Sequence, residues 1–208
     1  MKLLISPLSP FVRKVRVLVR EAGAEGLVEE VTVATTPLVS DPVVLAHNPT
    51  GRIPVLVRDD APALVDSRVI CRFLDDLFRA GLYPAKRLWE VLTLEALADS
   101  MADASIAMAY EVRMRPEGER SQAWIEAQWL KLARGLDALE ARWLSHLAGP
   151  LDMGQVAVAC TLGHVDMRHG ARDWRAGRPG LAAFAERIGA RPSLAATVPP
   201  PQPSPPRP

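Results

Sequence analysis

The chain has 208 residues, 49% of them hydrophobic, enough for one large domain or two small ones with a real core. Its 25 basic and 24 acidic residues leave a formal net charge of +1, which excludes the global field that draws nucleic acid or an anionic membrane surface. Two cysteines exclude a disulfide framework, and no apolar run approaches the ~18 residues of a membrane helix.

The opening "MKLLISPLSP" carries one lysine and an apolar run broken by Pro7, too short for a signal-peptide core, so cytoplasm is the expected compartment. Lys2 to Ile5 reads as a short strand. Pro10 to Ala22 reads as a helix, with Phe11, Val15, Leu18 and Ala22 on one face and the cations Arg13, Lys14, Arg16 and Arg20 on a solvated one. Gly23 and Gly26 end it. "LVEEVTV" (27–33) is a second strand, and the next segment is a loop with one helical turn. "IPVLVRDDAPALV" (53–65) reads as a hairpin turning at "DDAP". Asp66 and Ser67 cap a further helix whose buried face is Val69, Ile70, Phe73, Leu74 and Leu77; Cys71 lies within it as a packed thiol.

After residue 84 the pattern is helical throughout. An alanine-rich helix (86–113) carries an apolar stripe of Leu94, Leu97, Met101 and Met108, with Asp99 and Asp103 off that stripe; a solvated face is the first reading for this like-charged pair, a polar groove or partner the second. A second long helix spans 119–147. Asp152 and Gln155 predict a reciprocal capping pair at the start of a third, and two shorter helices follow. The tryptophans at 89, 124, 129 and 143 read as helical core. Cys160 and His164 share a helix face, which is too few ligands for a metal site, while His164 and His169 point apart. From Pro199 the chain is mostly proline and reads as a disordered tail (199–208).

Ser9-Pro10 is the most suggestive dipeptide. Serine suits a helix N-cap, and proline suits the first helical position. The same geometry offers a hydroxyl and unpaired N–H groups to an anion. From the residues alone, cap and site both stand.

Three motifs resemble those of the soluble, cytosolic-type glutathione S-transferases. "SPFVRKVRV" resembles the serine-type first-helix motif. "NPTGRIPVLV" resembles the family's N-P-x-G-[KR]-[VI]-P-x-L, and "VDSRVICRFLDD" its acidic-Ser motif. "LEALADSMADAS" and "GARDWRAGRPGLAAF" are similar to small bacterial members. The resemblance covers residues 1–198. It implies an α/β thioredoxin-like N-terminal domain (1–80) and an all-α C-terminal helical domain (84–198).

By this resemblance Ser9 is the catalytic residue and stabilises the thiolate of glutathione, the cosubstrate. Phe11, His47, Arg52, Ile53, Pro54, Asp66 and Ser67 form its binding site. The Ile53-Pro54 bond is cis in the family, which turns the backbone groups of Ile53 toward an extended peptide. Asp66 faces the ligand's ammonium, Ser67 its γ-glutamyl carboxylate, and Arg52 or His47 its glycyl carboxylate. The implied activity is transfer of glutathione to a small electrophile by a homodimer, with no metal, nucleic acid or membrane partner. The alternative is a glutathione-binding or interaction protein with little turnover. Glutathione-dependent disulfide reduction is disfavoured, because serine cannot form a mixed disulfide.

Overall fold

The computed structural model describes residues 1–200; residues 201–208, most of the expected proline-rich tail, lie outside the described residues. β1 (Lys2–Ile5) leads into α1 (Pro10–Glu21). β2 (Glu29–Thr32), α2 (Pro42–Leu45), β3 (Val55–Val57) and α3 (Ser67–Phe78) complete the first unit. The sheet order is β2-β1-β3, with β1 parallel to β2 and antiparallel to β3. Strand alternation sorts the side chains: Leu3 and Ile5 join the main core with α1 and α3, while Leu4 packs with Val44 and Val55 on the face that α2 covers.

The expected hairpin at 53–65 reduces to a single bridge, Leu56 to Leu64. Pro62 has no N–H to offer a ladder, and its carbonyl instead accepts from the Arg58 guanidinium at 2.9 and 2.7 Å. The second strand is also shorter than expected, because a 3₁₀ turn takes Glu25–Leu27. On α3 the buried residues are Ser67, Ile70, Cys71 and Leu74, whereas Val69 and Leu77, both expected inside, are 47% and 49% exposed. A sheet of three short strands covers a narrower strip of helix than the periodicity offers.

The second unit holds α4 (Leu88–Met114), α5 (Gln122–Arg142), α6 (Leu144–Leu147), α7 (Met153–His169), α8 (Pro179–Gly189) and α9 (Pro192–Ala195). The helix expected over 119–147 is thus two, parted at Trp143. The capping pair at the start of α7 is half formed. Asp152 accepts from Gln155 N–H at 3.1 Å, but the Gln155 amide donates backward to Pro150 O (2.8 Å) and His146 O (3.1 Å) instead of to the cap. Trp89 and Trp124 are not core: they are 77% and 49% exposed, because Val91 and Ile125, close by in sequence, claim the inward face of each helix. Trp174 fills the core instead.

One hydrophobic cluster runs through both units. α1 lies at its centre, against α3 on one side and α7 on the other. Its cations do not form the solvated face that their spacing suggested: Arg13 and Lys14 are buried. Arg13 donates to Leu194 O at 3.0 Å and so fastens the chain's last described helix to its first. Glu21 strengthens this join, accepting from Arg191 at 3.0 and 2.7 Å and from Ser193. No helix among the described residues is long and apolar enough to cross a membrane.

Candidate functional site

Four local structures build one cavity of about 530 Å³ between the first unit and α4. The first is the start of α1. Ser9 is the N-cap, accepting from Val12 N–H at 3.3 Å, and Pro10 occupies the first turn without wasting a donor. Phe11 lines the cavity; Ser9, two residues earlier and partly buried, is not itself part of the wall.

The second is the N-P-T-G-R loop. Asn48, only 4% exposed, organises it by donating to Arg52 O at 2.8 Å and accepting from Thr50 N–H at 3.1 Å and the Thr50 hydroxyl at 2.9 Å. Gly51 has φ 67° and leaves no room for a Cβ against Ser40, so glycine is required there. The loop presents Asn48, Thr50 and Arg52 to the cavity, followed by Ile53-Pro54 in cis.

The third is the start of α3, which follows a second cis bond, Val65-Asp66. Asp66 caps the helix by accepting from Arg68 N–H at 3.0 Å, and Ser67 occupies its first turn, 3% exposed. The fourth is α4, which contributes Asp99 and Asp103. Partial burial raises the Asp103 pKa, with the Asp66 carboxylate adding to it and Arg52 and Arg68 opposing.

Six of the seven expected binding residues therefore converge: Phe11, Arg52, Ile53, Pro54, Asp66 and Ser67. The seventh, His47, is exposed at the end of α2 and does not line the cavity. Asn48, Thr50 and Arg68 join the wall without having been expected there, and Asp99 and Asp103 join it on the second reading of that pair, a polar groove. Asn48 and Thr50 had a signal, since they belong to the motif that carries Arg52. Asp99 and Asp103 read first as a solvated pair, yet Asp99 is 9% exposed and held by Lys14. Burial works against the Lys14 ammonium, but Glu95 and Asp99 outweigh it and hold its pKa above the ordinary lysine value.

Away from the cavity, His164 and His169 do not point apart as helical spacing suggested. His164 Nδ1 lies 2.8 Å from Ser105 Oγ and His169 Nε2 lies 2.9 Å from Ser105 O, so both address one residue of α4. Cys71 and Cys160 are buried free thiols; burial pushes Cys71 up and Cys160 up to about 11. Among the described residues no group of three or more His, Cys, Asp or Glu is arranged to hold a metal ion.

The arrangement is a polar slot in which the carboxylates of Asp66, Asp99 and Asp103 and the guanidinium groups of Arg52 and Arg68 share one wall beside the starts of α1 and α3. It suits an extended, zwitterionic peptide. Residues 8–77 match the family model "Glutathione S-transferase, N-terminal domain", and residues 122–187 match "Glutathione S-transferase, C-terminal domain". An uncharacterized GST-like protein, YibF, of Escherichia coli (strain K12) is 32% identical over 205 residues, 96% of this chain and 99% of the relative. A glutathione transferase family member from Pseudomonas fluorescens Pf-5, solved with bound glutathione, superposes with a TM-score of 0.93 at 39% identity, covering 96% of this chain and 98% of that one. A glutathione S-transferase from Methylobacillus flagellatus KT, solved with glutathione bound, gives a TM-score of 0.83 at 36% identity, covering 95% and 98%. Likeness that runs through both units at this level of identity is likeness of descent as well as of shape, and the chain belongs to the glutathione S-transferase family.

Proposed function

We propose that the protein binds glutathione in this cavity and transfers it to a small electrophile, with Ser9 stabilising the thiolate. The observation that carries this reading is the convergence of Phe11, Arg52, Ile53, Pro54, Asp66 and Ser67 on one slot beside the N-terminus of α1. Glutathione is bound in the P. fluorescens and M. flagellatus relatives, which supports the choice of ligand.

In this reading Arg52 takes the glycyl carboxylate, and the backbone of Ile53 pairs with the central peptide. Asp66 takes the ammonium, while Ser67 and the N-terminus of α3 take the γ-glutamyl carboxylate. The sulfur then lies against the N-terminus of α1. The Ser9 oxygen already accepts from Val12 N–H, which leaves its proton free to donate to the sulfur. The thiolate attacks the electrophilic carbon, a C–S bond forms, and the leaving group departs with its electron pair. The enzyme supplies proximity and a larger thiolate fraction. The molecule acts as a homodimer.

The test is retention on immobilised glutathione combined with turnover of 1-chloro-2,4-dinitrobenzene. Binding with turnover supports the proposal. Binding without turnover across a broad panel of electrophiles favours a binding protein, and failure to bind overturns both.

A further inference from the structure

Lys14 is the one lysine on α1, and its side chain is 2% exposed. It reaches out of the first unit into the second. Its Nζ lies 3.0 Å from Glu95 Oε1, 2.8 Å from Asp99 Oδ1 and 2.9 Å from Asp99 Oδ2. Two arms leave this ammonium. The Glu95 arm leads away from the cavity: Glu95 Oε2 accepts from the buried Tyr83 hydroxyl at 2.9 Å, and the exposed Arg72 guanidinium covers the Tyr83 ring at 4.8 Å. The Asp99 arm opens on the cavity. Asp99 Oδ2 lies 3.7 Å from Arg68 Nε, and Arg68 Nη2 lies 3.5 Å from Asp66 Oδ2. Asp99, Arg68 and Asp66 line the cavity, whereas Lys14 and Glu95 do not.

A buried ion cluster is a weak source of net stability, because desolvation offsets most of its attraction. Its geometric effect is stronger. Lys14 binds both oxygens of Asp99, which fixes the plane of that carboxylate. Arg68, half exposed and on its own free to swing, then has one held partner, Asp99, and reaches the exposed Asp66 on its other side. Without Lys14, the buried Asp99 has only Arg68 to compensate it. The guanidinium is drawn inward and leaves Asp66.

We propose that Lys14 is a positioning residue for the cavity wall: through Asp99 it sets Arg68 and Asp66 in the geometry that receives the γ-glutamyl end of glutathione. This rests on the glutathione-binding reading above. It also gives α1 two tasks five residues apart, with Ser9 at the sulfur and Lys14 behind the ammonium.

The experiment is calorimetric titration of glutathione into the full chain and into Lys14→Met, Asp99→Asn and Glu95→Gln, with melting temperatures and the KM-against-kcat split for one electrophile. Lys14→Met and Asp99→Asn are each expected to raise the glutathione Kd about tenfold, the size of a contact-range coupling, while kcat of Lys14→Met at saturating glutathione stays within about threefold. Glu95→Gln cuts only the arm that leads away from the cavity. It is expected to lower the melting temperature while leaving Kd within about twofold. A merely structural cluster gives the opposite result: all three variants lose stability, and those that fold keep wild-type Kd. That outcome overturns the proposal. If Lys14→Met does not fold, the isosteric Asp99→Asn decides, and wild-type affinity there overturns it. Wild-type protein that binds no glutathione overturns the functional reading and this inference together; a binding wild type with unaltered variants overturns this inference alone.

Discussion

Ser9 has two roles that substitution separates. As a cap alone, Ser9→Gly is nearly neutral and Ser9→Ala costs about 1 kcal/mol. As a thiolate donor, its loss raises the pKa of bound glutathione, since a hydrogen bond to the charged form had favoured that form. Both variants are then expected to lose turnover near neutral pH and recover it as rising pH forms the thiolate unaided. Overlaid pH–rate profiles for wild type, Ser9→Ala and Ser9→Gly return Ser9 to capping only. Asp66 divides similarly. Asp66→Ala loses a cap worth about 1 kcal/mol. It is also expected to lose about 1.5–3 kcal/mol of glutathione binding through the missing charge-assisted contact. Unchanged affinity in folded protein removes Asp66 from the site. Both residues were legible in the sequence because caps and prolines act within one turn of chain. Lys14 was not: its partners lie 81 and 85 positions away, and a lysine among arginines looks like solvated surface until those partners are known.

Between α4 and α7 the seam is buried and its polar groups pair across it. Thr161 donates to Ala98 O at 3.0 Å, and His164 meets Ser105. Burial lowers the His164 pKa to about 3, with Arg168 and His169 adding to the effect. The native state therefore holds this ring neutral, while the unfolded chain protonates it near its ordinary 6.5. Between those values the unfolded state binds more protons, so stability rises with pH there and falls as pH drops below about 6.5. The expected slope is at most about 1.4 kcal/mol per pH unit. Denaturant midpoints measured from pH 7 to 4 should show this slope for wild type and a flatter one for His164→Gln. An equal slope in both assigns the acid lability elsewhere. The helices themselves were readable from their apolar spacing. Their pairing was not, since an alanine-rich helix such as α4 has suitable surface on several sides and only the folded chain shows which side meets α7.

At the scale of the whole molecule, an α/β unit followed by an all-helical one was legible, while the loss of the hairpin's second strand, the break at Trp143 and the fate of the exposed aromatics were not. Those depend on where Pro62 interrupts the ladder and on which neighbour claims the inward face of each helix. Val69, Leu77 and Trp89, on α3 and at the start of α4, are 47%, 49% and 77% exposed. Apolar surface of this kind is commonly closed by a twofold mate. Sedimentation at micromolar concentration is expected to give twice the chain mass, and Leu77→Glu with Trp89→Lys to halve it. A wild-type monomer counts against the homodimer.

The join between α9 and α1 sets an order of events in the living cell. Arg13 and Glu21 are finished by partners 170 to 181 residues downstream. At ordinary elongation rates of about 5–20 residues per second, the first helix leaves the ribosome roughly 10–40 s before its clasp exists. The N-terminal unit thus waits, unlatched, for α9 to be made. Nascent chains stalled after α8 should leave α1 open to protease, and extension through α9 should close it.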